Sequence, residues 1–471
     1  MRSVGIWIEL GRGQFHPREG ILRILLEAVR HRPAGVGITF FCRRGVAAEI
    51  KPLLQEHAGE RGASPIRVRE PRPIDGPTWR SAIAARVGFV SDRLRAYTRR
   101  PDSTQALAWH LRSFLKSGQI RHLLRAGGAA VAGVLRFPFQ AIARALRHTG
   151  PPCEVTDMRG LVDRSGIDLL VVPNPSWDGW IGVKAPVTVL AWDVFFDEDP
   201  SWDEILPARE TFIRSFDAAG RIVTMSEHTT RMIEKGGYAA GGAMIEALPP
   251  PVFDRVRRAD PEAVEDFFRS AYRASMHPCM AGLDLAATNY LLCATQARKN
   301  KNLWTLVRAY RDLVRRDRIL HKLFLTTDLP ADIAEWLHRE GLSIDVLAWR
   351  SVPEGVLGEM FRHADVVVVP SLFEGGIPLN LLEANACGVP VALAAMPTVT
   401  TLCGFDGRAT ACFYPSDEAG MRRAIHACLA DPQAVVEEQR KLLAANPVVR
   451  DWPAYAATIF SVSADFAGPT A

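Results

Sequence analysis

Eight cysteines are spread over 471 residues, and none forms a C-x-x-C pair or joins a histidine cluster at zinc-ligand spacing. Without those spacings neither a zinc module nor a disulfide framework is expected. Cys293 in LLCAT and Cys387 in ANACG sit among apolar or small residues and read as reduced core thiols of a cytoplasmic protein. No uninterrupted apolar run reaches the roughly 18 residues of a membrane-spanning helix. The nearest, AGGAAVAGVL, stops at Arg136 and Pro138. The opening MRSVGIWIEL has no basic stretch ahead of a longer apolar one, so no secretory signal is expected. A large charge excess is also lacking. The net charge of +5 and a pI of about 8.8 suit an acidic ligand or an anionic surface but fall short of a nucleic-acid binder. Acids are scarce in one place. Residues 90–150 contain no glutamate and only Asp92 and Asp102, against a series of bases from Arg93 and Arg95 to Arg144 and Arg147.

What is present is a pattern of short apolar runs alternating with helical periodicity. Buried strands are expected at Val4–Leu10, Gly37–Phe41, Asp168–Val172, Val187–Ala191 and Arg221–Met225. A second series follows at Tyr290–Ala294, Lys322–Thr326, Ile344–Ala348, Asp365–Val369 and Val389–Ala394. Continuous apolar strands separated by helices predict parallel sheets covered on both faces. Between them, Leu303, Leu306, Val307, Tyr310, Leu313 and Val314 mark one buried helix face. Ser351-Val-Pro-Glu354 reads as a capping box, opening a helix with Val356, Leu357, Met360 and Phe361 inward. Ser226 reads as an N-cap.

The most informative segment is PSLFEGGIPLNLLEANACGVPV, residues 370–391. It leaves a four-valine strand, passes Gly375-Gly376 and enters a helix, then reaches Gly388, Pro390 and another strand. In open α/β sheets ligands bind beyond the carboxyl ends of the strands. A glycine loop opening a helix offers free N–H groups and the positive dipole end to a phosphate. Glu374 in the loop and Glu383 on the helix would then serve sugar hydroxyls.

These features, with LLCATQARKNKNLWTLVRAY, resemble glycosyltransferase family four, the retaining group 1 enzymes, in an EGGIP variant form. Eight residues separate Glu374 from Glu383, one more than the family's usual spacing. The resemblance covers residues 160–460 well and 1–150 loosely. It implies a GT-B architecture, two Rossmann-like domains facing a central cleft. The divisions are an N-terminal acceptor domain (1–252) with a basic helical insertion at about 90–150, a linker (253–289), a donor domain (290–445) and a crossover helix (446–471). It assigns Lys301, Arg298, Gly20, Gly375 and Gly376 to the donor diphosphate, with Arg298 standing in for a family arginine whose place is held by Gln296. It assigns Glu374, Ile377 and Glu383 to the donor sugar and ribose, and Trp349, Arg350 and Ser351 to the nucleobase through backbone atoms. Glu374 and Asp193 are the candidate catalytic residues; Trp192 stands where many members have the histidine before that aspartate.

The resemblance implies transfer of a hexose, with mannose from GDP-mannose favoured over UDP-hexoses. The acceptor would be a saccharide or polyprenyl-linked, and the setting polysaccharide or glycolipid assembly. With two cations on the diphosphate, no metal is expected. Asp197-Glu198-Asp199 could hold manganese but reads as an acidic loop. The basic segment, with Phe137, Phe139 and Ile142, suits the anionic inner face of the plasma membrane; no nucleic-acid partner is expected. Two alternatives are a non-catalytic GT-B scaffold binding a nucleotide or protein, and a non-hydrolysing sugar-nucleotide epimerase. The latter lacks identifiable acid/base residues in the N-terminal half.

Overall fold

The computed structural model describes residues 2–10, 20–43, 45–56, 66–71, 152–194, 196, 206–251, 256–275, 278–280, 282–405, 409, 411–445 and 451–462. The basic segment 90–150, residues 11–19 and Asp197-Glu198-Asp199 lie outside them.

In chain order the first half holds β1 (Arg2–Ile8), α1 (Gly20–Arg30), β2 (Val36–Cys42), α2 (Ala47–Glu56), β3 (Ile66–Arg69), α3 (Pro152–Asp163), β4 (Leu169–Val172), β5 (Val187–Ala191), α4 (Leu206–Ala218), β6 (Arg221–Thr224), α5 (Glu227–Gly236) and β7 (Met244–Ala247). After α6 (Pro261–Ser275) come β8 (Tyr290–Cys293), α7 (Leu303–Arg315), β9 (Lys322–Leu325), α8 (Ala331–Arg339), β10 (Val346–Ala348), α9 (Glu354–His363), β11 (Val366–Val369) and α10 (Leu379–Cys387). The chain closes with β12 (Val391–Ala394), α11 (Pro397–Cys403), β13 (Cys412–Phe413), α12 (Glu418–Ala430), α13 (Pro432–Ala444) and α14 (Trp452–Ile459).

The strands form two parallel sheets, β3-β2-β1-β4-β5-β6-β7 and β10-β9-β8-β11-β12-β13. Each has the doubly wound order in which the chain runs outward to one edge, returns to the centre and continues to the other. Full burial of β2 and β11 along their lengths reflects helices on both faces. Each of the ten expected strands lies within two residues of an observed one. The others, β3, β7 and β13, were not anticipated. β3 (IRVR) and β7 (MIEA) are half-exposed edge strands with charged residues, and β13 has two residues.

The expected capping box at Ser351 does not form. Pro353 is the N-cap of α9, with no side-chain capping bond, and Ser351 has a left-handed φ of 57°. It therefore lies two residues ahead of the capping position. The 253–289 stretch contains α6, whose Phe268 is buried edge-to-face on Trp349, with ring centroids 5.4 Å apart. Segment 256–259 lies along α9, where Arg362 donates to the Arg257 carbonyl at 3.1 Å.

α14 returns to the first half. Its Trp452, Tyr455, Ala456 and Ile459 join the core formed by Leu22, Leu25, Leu26 and Val29 of α1. Arg221, 2% exposed, donates to the Thr458 carbonyl at 3.0 Å and pairs with Glu246 at 2.7 Å. A cation on the last carbonyls of a helix is favoured by its dipole.

Candidate active site

The strand order places one switch point between β8 and β11, where successive connections leave in opposite directions. The loops following those strands, 294–301 and 370–378, meet there. Backbone and side-chain bonds join them: Leu372 N donates to Asn300 O at 2.7 Å, and Asn302 Nδ2 to Pro370 O at 3.1 Å. Asn302 takes a left-handed φ of 53°, which asparagine tolerates better than most residues. Between the two halves lies a cleft of about 870 Å³. The first half contributes Gly20, Arg23, Trp192, Asp193 and Met225 to its wall.

Lys301 and Glu374 meet across the joined loops. Lys301 Nζ donates to Glu374 Oε1, which also accepts from Ser371 Oγ at 2.7 Å. Both side chains are about one-fifth exposed, 20% and 21%. A cation and a hydroxyl thus hold one carboxylate at the mouth of the glycine loop. Arg298, exposed at the start of the short 3-10 turn Lys299–Lys301, lines the same cleft.

The glycine loop touches the opposite half directly. The Gly375 carbonyl accepts from Ser226 Oγ at 2.6 Å and Thr229 Oγ1 at 2.9 Å. Ser226 also caps α5 as expected, accepting from Thr229 N at 3.1 Å. A Cβ on Gly375 would fall 1.6 Å from the Trp192 carbonyl oxygen, and one on Gly376 3.0 Å from Met225 Cβ. These glycines permit contact between halves as well as access to a ligand. Gly20 opens α1 and faces α10: a Cβ there would lie 3.0 Å from Leu379 Cδ1. Two helix N-termini, one from each half, therefore converge on the cleft and favour an anion between them.

Glu383 is 3% exposed on α10 and meets Arg23 of α1, Nη2 to Oε1, at 2.6 Å. Burial pushes the Glu383 carboxyl above its ordinary range, although Arg23 opposes the rise. Burial works against the Arg23 charge, but Glu383 outweighs it and holds the guanidinium above its usual value. Cys293 also lines the cleft. Burial pushes its thiol up to about 12, so it is a neutral wall rather than a nucleophile.

Of the residues singled out in the sequence, Glu374, Asp193, Lys301, Arg298, Gly20, Gly375, Gly376, Ile377, Glu383, Arg350 and Ser351 all line this one cleft. Trp349 does not. Its ring is 4% exposed in the core, edge-to-face on Phe268 and Phe324. Trp192, in the place of the family histidine, donates its indole N–H to the Pro173 carbonyl. Sequence reading missed Arg23 and Asn380, whose amide donates to Ala294 O at 2.5 Å. The available signal for Arg23 was a lone arginine on an α1 stretch whose Leu22, Ile24, Leu25 and Leu26 are all buried.

A sequence model of the family described as glycosyl transferases group 1 matches residues 288–431. No curated protein matches the sequence. Among solved structures the chain is similar to HepE of Anabaena in complex with UDP-glucose, at 11% identity over 98% of each chain with a TM-score of 0.57. It is similar to sucrose-phosphate synthase from Thermosynechococcus elongatus, at 14% identity over 98% of this chain and 97% of that one, TM-score 0.57. It is also similar to a UDP-forming α,α-trehalose-phosphate synthase from Burkholderia vietnamiensis, at 17% identity over 98% and 100%, TM-score 0.53. At these identities the likeness is one of fold. The architecture is therefore GT-B, and within it residues 288–431 are similar to the group 1 glycosyl transferases.

Proposed function

We propose that the chain is a retaining hexosyltransferase that takes its sugar from a nucleoside diphosphate. The observation that carries this reading is the meeting of Lys301, Glu374 and the Gly375-Gly376 loop at the N-terminus of α10, opposite Asp193 and the N-terminus of α1. Lys301, Arg298 and the two helix N-termini would take the diphosphate. Glu374 would accept hydroxyls of the donor sugar and Glu383 those of the ribose. The backbone of 350–352 would border the base.

In the reaction the bond from the anomeric carbon to the diphosphate oxygen breaks. The acceptor hydroxyl bonds to that carbon on the same face, and its proton passes to the departing diphosphate. Charge grows on the leaving group, where the cations and helix N-termini would stabilise it. Asp193 would orient the acceptor or the donor sugar. No protein nucleophile is required, so the carboxylate separation of glycosidases does not apply to Glu374 and Glu383. With the cations in place, no metal is required either.

GDP-mannose is the donor favoured by the sequence resemblance, while UDP-glucose is the one seen with HepE. Thermal unfolding with GDP-mannose, UDP-glucose, UDP-GlcNAc, GDP and UDP, in EDTA, separates them. One nucleotide class is expected to raise the midpoint, and Lys301→Ala and Glu383→Ala to abolish the rise. No stabilisation by any of them in EDTA favours the scaffold reading. A response only on adding manganese would overturn metal independence.

The acceptor is proposed to be a saccharide or lipid-linked saccharide, with the basic 90–150 segment against an anionic membrane. No helix among the described residues is long and apolar enough to cross a membrane. The protein is expected to float with phosphatidylglycerol vesicles and not with neutral ones, and Phe137→Ser with Phe139→Ser to reduce flotation. Equal behaviour on both vesicles removes the membrane part of the reading.

A further inference from the structure

Arg23 is not needed by the chemistry set out above, yet it is one of the least expected side chains in the cleft. It projects from α1 of the first half, is 16% exposed, and spans to a carboxylate of the other half that is itself 4% exposed. Among the described residues, Arg23 is the one hydrogen-bond donor to Glu383, and it engages Oε1 alone. Among the described residues no donor reaches Oε2. Glu383 lines the cleft, so a donor to that oxygen can come from a ligand.

We propose that Arg23 is a positioning residue for the nucleotide: it holds one oxygen of Glu383 across the cleft and leaves the other to accept a ribose hydroxyl, so the ribose site is complete only when the two halves are closed. This rests on the donor reading of Glu383. It adds that a first-half residue controls whether the carboxylate of the second half works. An arginine suits this role because its rigid fork fixes the carboxylate rotamer as well as its charge.

The charges around Glu383 support the assignment. On α1 Arg23 faces it. On α9 Glu354 lies 3.9 Å from Arg23 Nε and repels the Glu383 charge, while itself pairing with Arg257 at 3.2 Å. Burial and Glu354 both favour the protonated carboxyl, and Arg23 alone among the attributed influences opposes them. Removing Arg23 therefore raises the Glu383 pKa further. The protonated carboxyl is a poorer hydroxyl acceptor, so ribose recognition should then weaken as pH falls and recover as it rises.

Calorimetric titration with UDP, GDP and their 2′-deoxy counterparts tests this, from about pH 5.5 to about 8.5, a window above the ordinary carboxylate range. The wild type is expected to prefer the ribonucleotide of its selected base by about tenfold or more, the scale of one charge-assisted hydrogen bond. Arg23→Met should reduce the preference to about threefold or less near pH 7, with recovery at higher pH, and Arg23→Lys should restore most of it. Glu383→Gln should lose the preference at every pH, and Arg23→Met should change nothing further in that background. The double variant leaves neither charge buried alone, so it also controls for folding. An Arg23→Met protein that binds both nucleotides more weakly but keeps the full preference overturns the proposal. A wild type that binds neither UDP nor GDP overturns instead the donor reading on which it rests.

Discussion

Alanine in place of Lys301 is expected to lower kcat/KM for sugar transfer by about 10²–10³, the usual cost of removing one preorganised stabiliser of transition-state charge. The side chain is held at the junction of two loops by Glu374, which Ser371 holds in turn. Its rotamer is therefore set before a ligand arrives, and the loss should fall on the donor KM, as the lost nucleotide stabilisation requires, as well as on kcat. In the free protein the Lys301 charge is matched by Glu374. A bound diphosphate would draw the ammonium toward itself and leave Glu374 to Ser371 and the sugar hydroxyls. Steady-state kinetics on donor consumption provide the check. A change of less than about fivefold would mean that Arg298 and the helix N-termini carry the charge unaided.

The Gly375→Ala substitution is expected to separate binding from turnover. The added methyl would sit 1.6 Å from the Trp192 carbonyl oxygen, a distance no contact tolerates. The obstacle is backbone, so one half must move relative to the other. Displacement by about 1 Å is enough to cost about 10²-fold in rate when reacting groups lie on opposite walls. Nucleotide affinity should fall less than turnover: Lys301, Arg298 and Glu374 all belong to the second half, and the loss is confined to what the α1 N-terminus and the Arg23-held Glu383 contribute. A variant with near-normal turnover would show that the halves need not touch at this point during the reaction. Complete loss of nucleotide binding would show that the loop itself, and not closure alone, had been damaged.

The second half was readable from sequence because its signals are local. The valines of β11, the Gly375-Gly376 turn, the α10 helix and the Gly388 stop follow one another without interruption. The αL cap at Gly388, with φ of 76°, is the position where a residue without a Cβ ends a helix cheaply. Lys301 could be paired with this segment because both lie beyond strands expected at the centre of one sheet. What escaped notice depends on how distant parts dock. Arg23 and Glu383 are 360 positions apart, and nothing in either stretch announces the partner. The inward turn of Trp349 depends on α6, in a stretch read as linker. Ser351 had the composition of a cap, but Pro353 moved the helix start beyond it. The edge strands β3 and β7 lack the continuous apolar character that marks buried strands, so their short polar sequences did not stand out.

The return of α14 to the first half means that the two halves are joined by two covalent strands rather than one. Each tether keeps the other half at high effective concentration, so closing the cleft is an intramolecular event with little translational entropy to lose. Two tethers also restrict the path. Wide separation is denied, while rotation about the line joining the two crossings stays open. Contacts between the halves, among them Arg23 with Glu383, the Gly375 carbonyl with Ser226 and Thr229, and α5 against α11, can then govern the opening angle. In a singly tethered protein such contacts would compete with free tumbling; here they act as detents on a hinge.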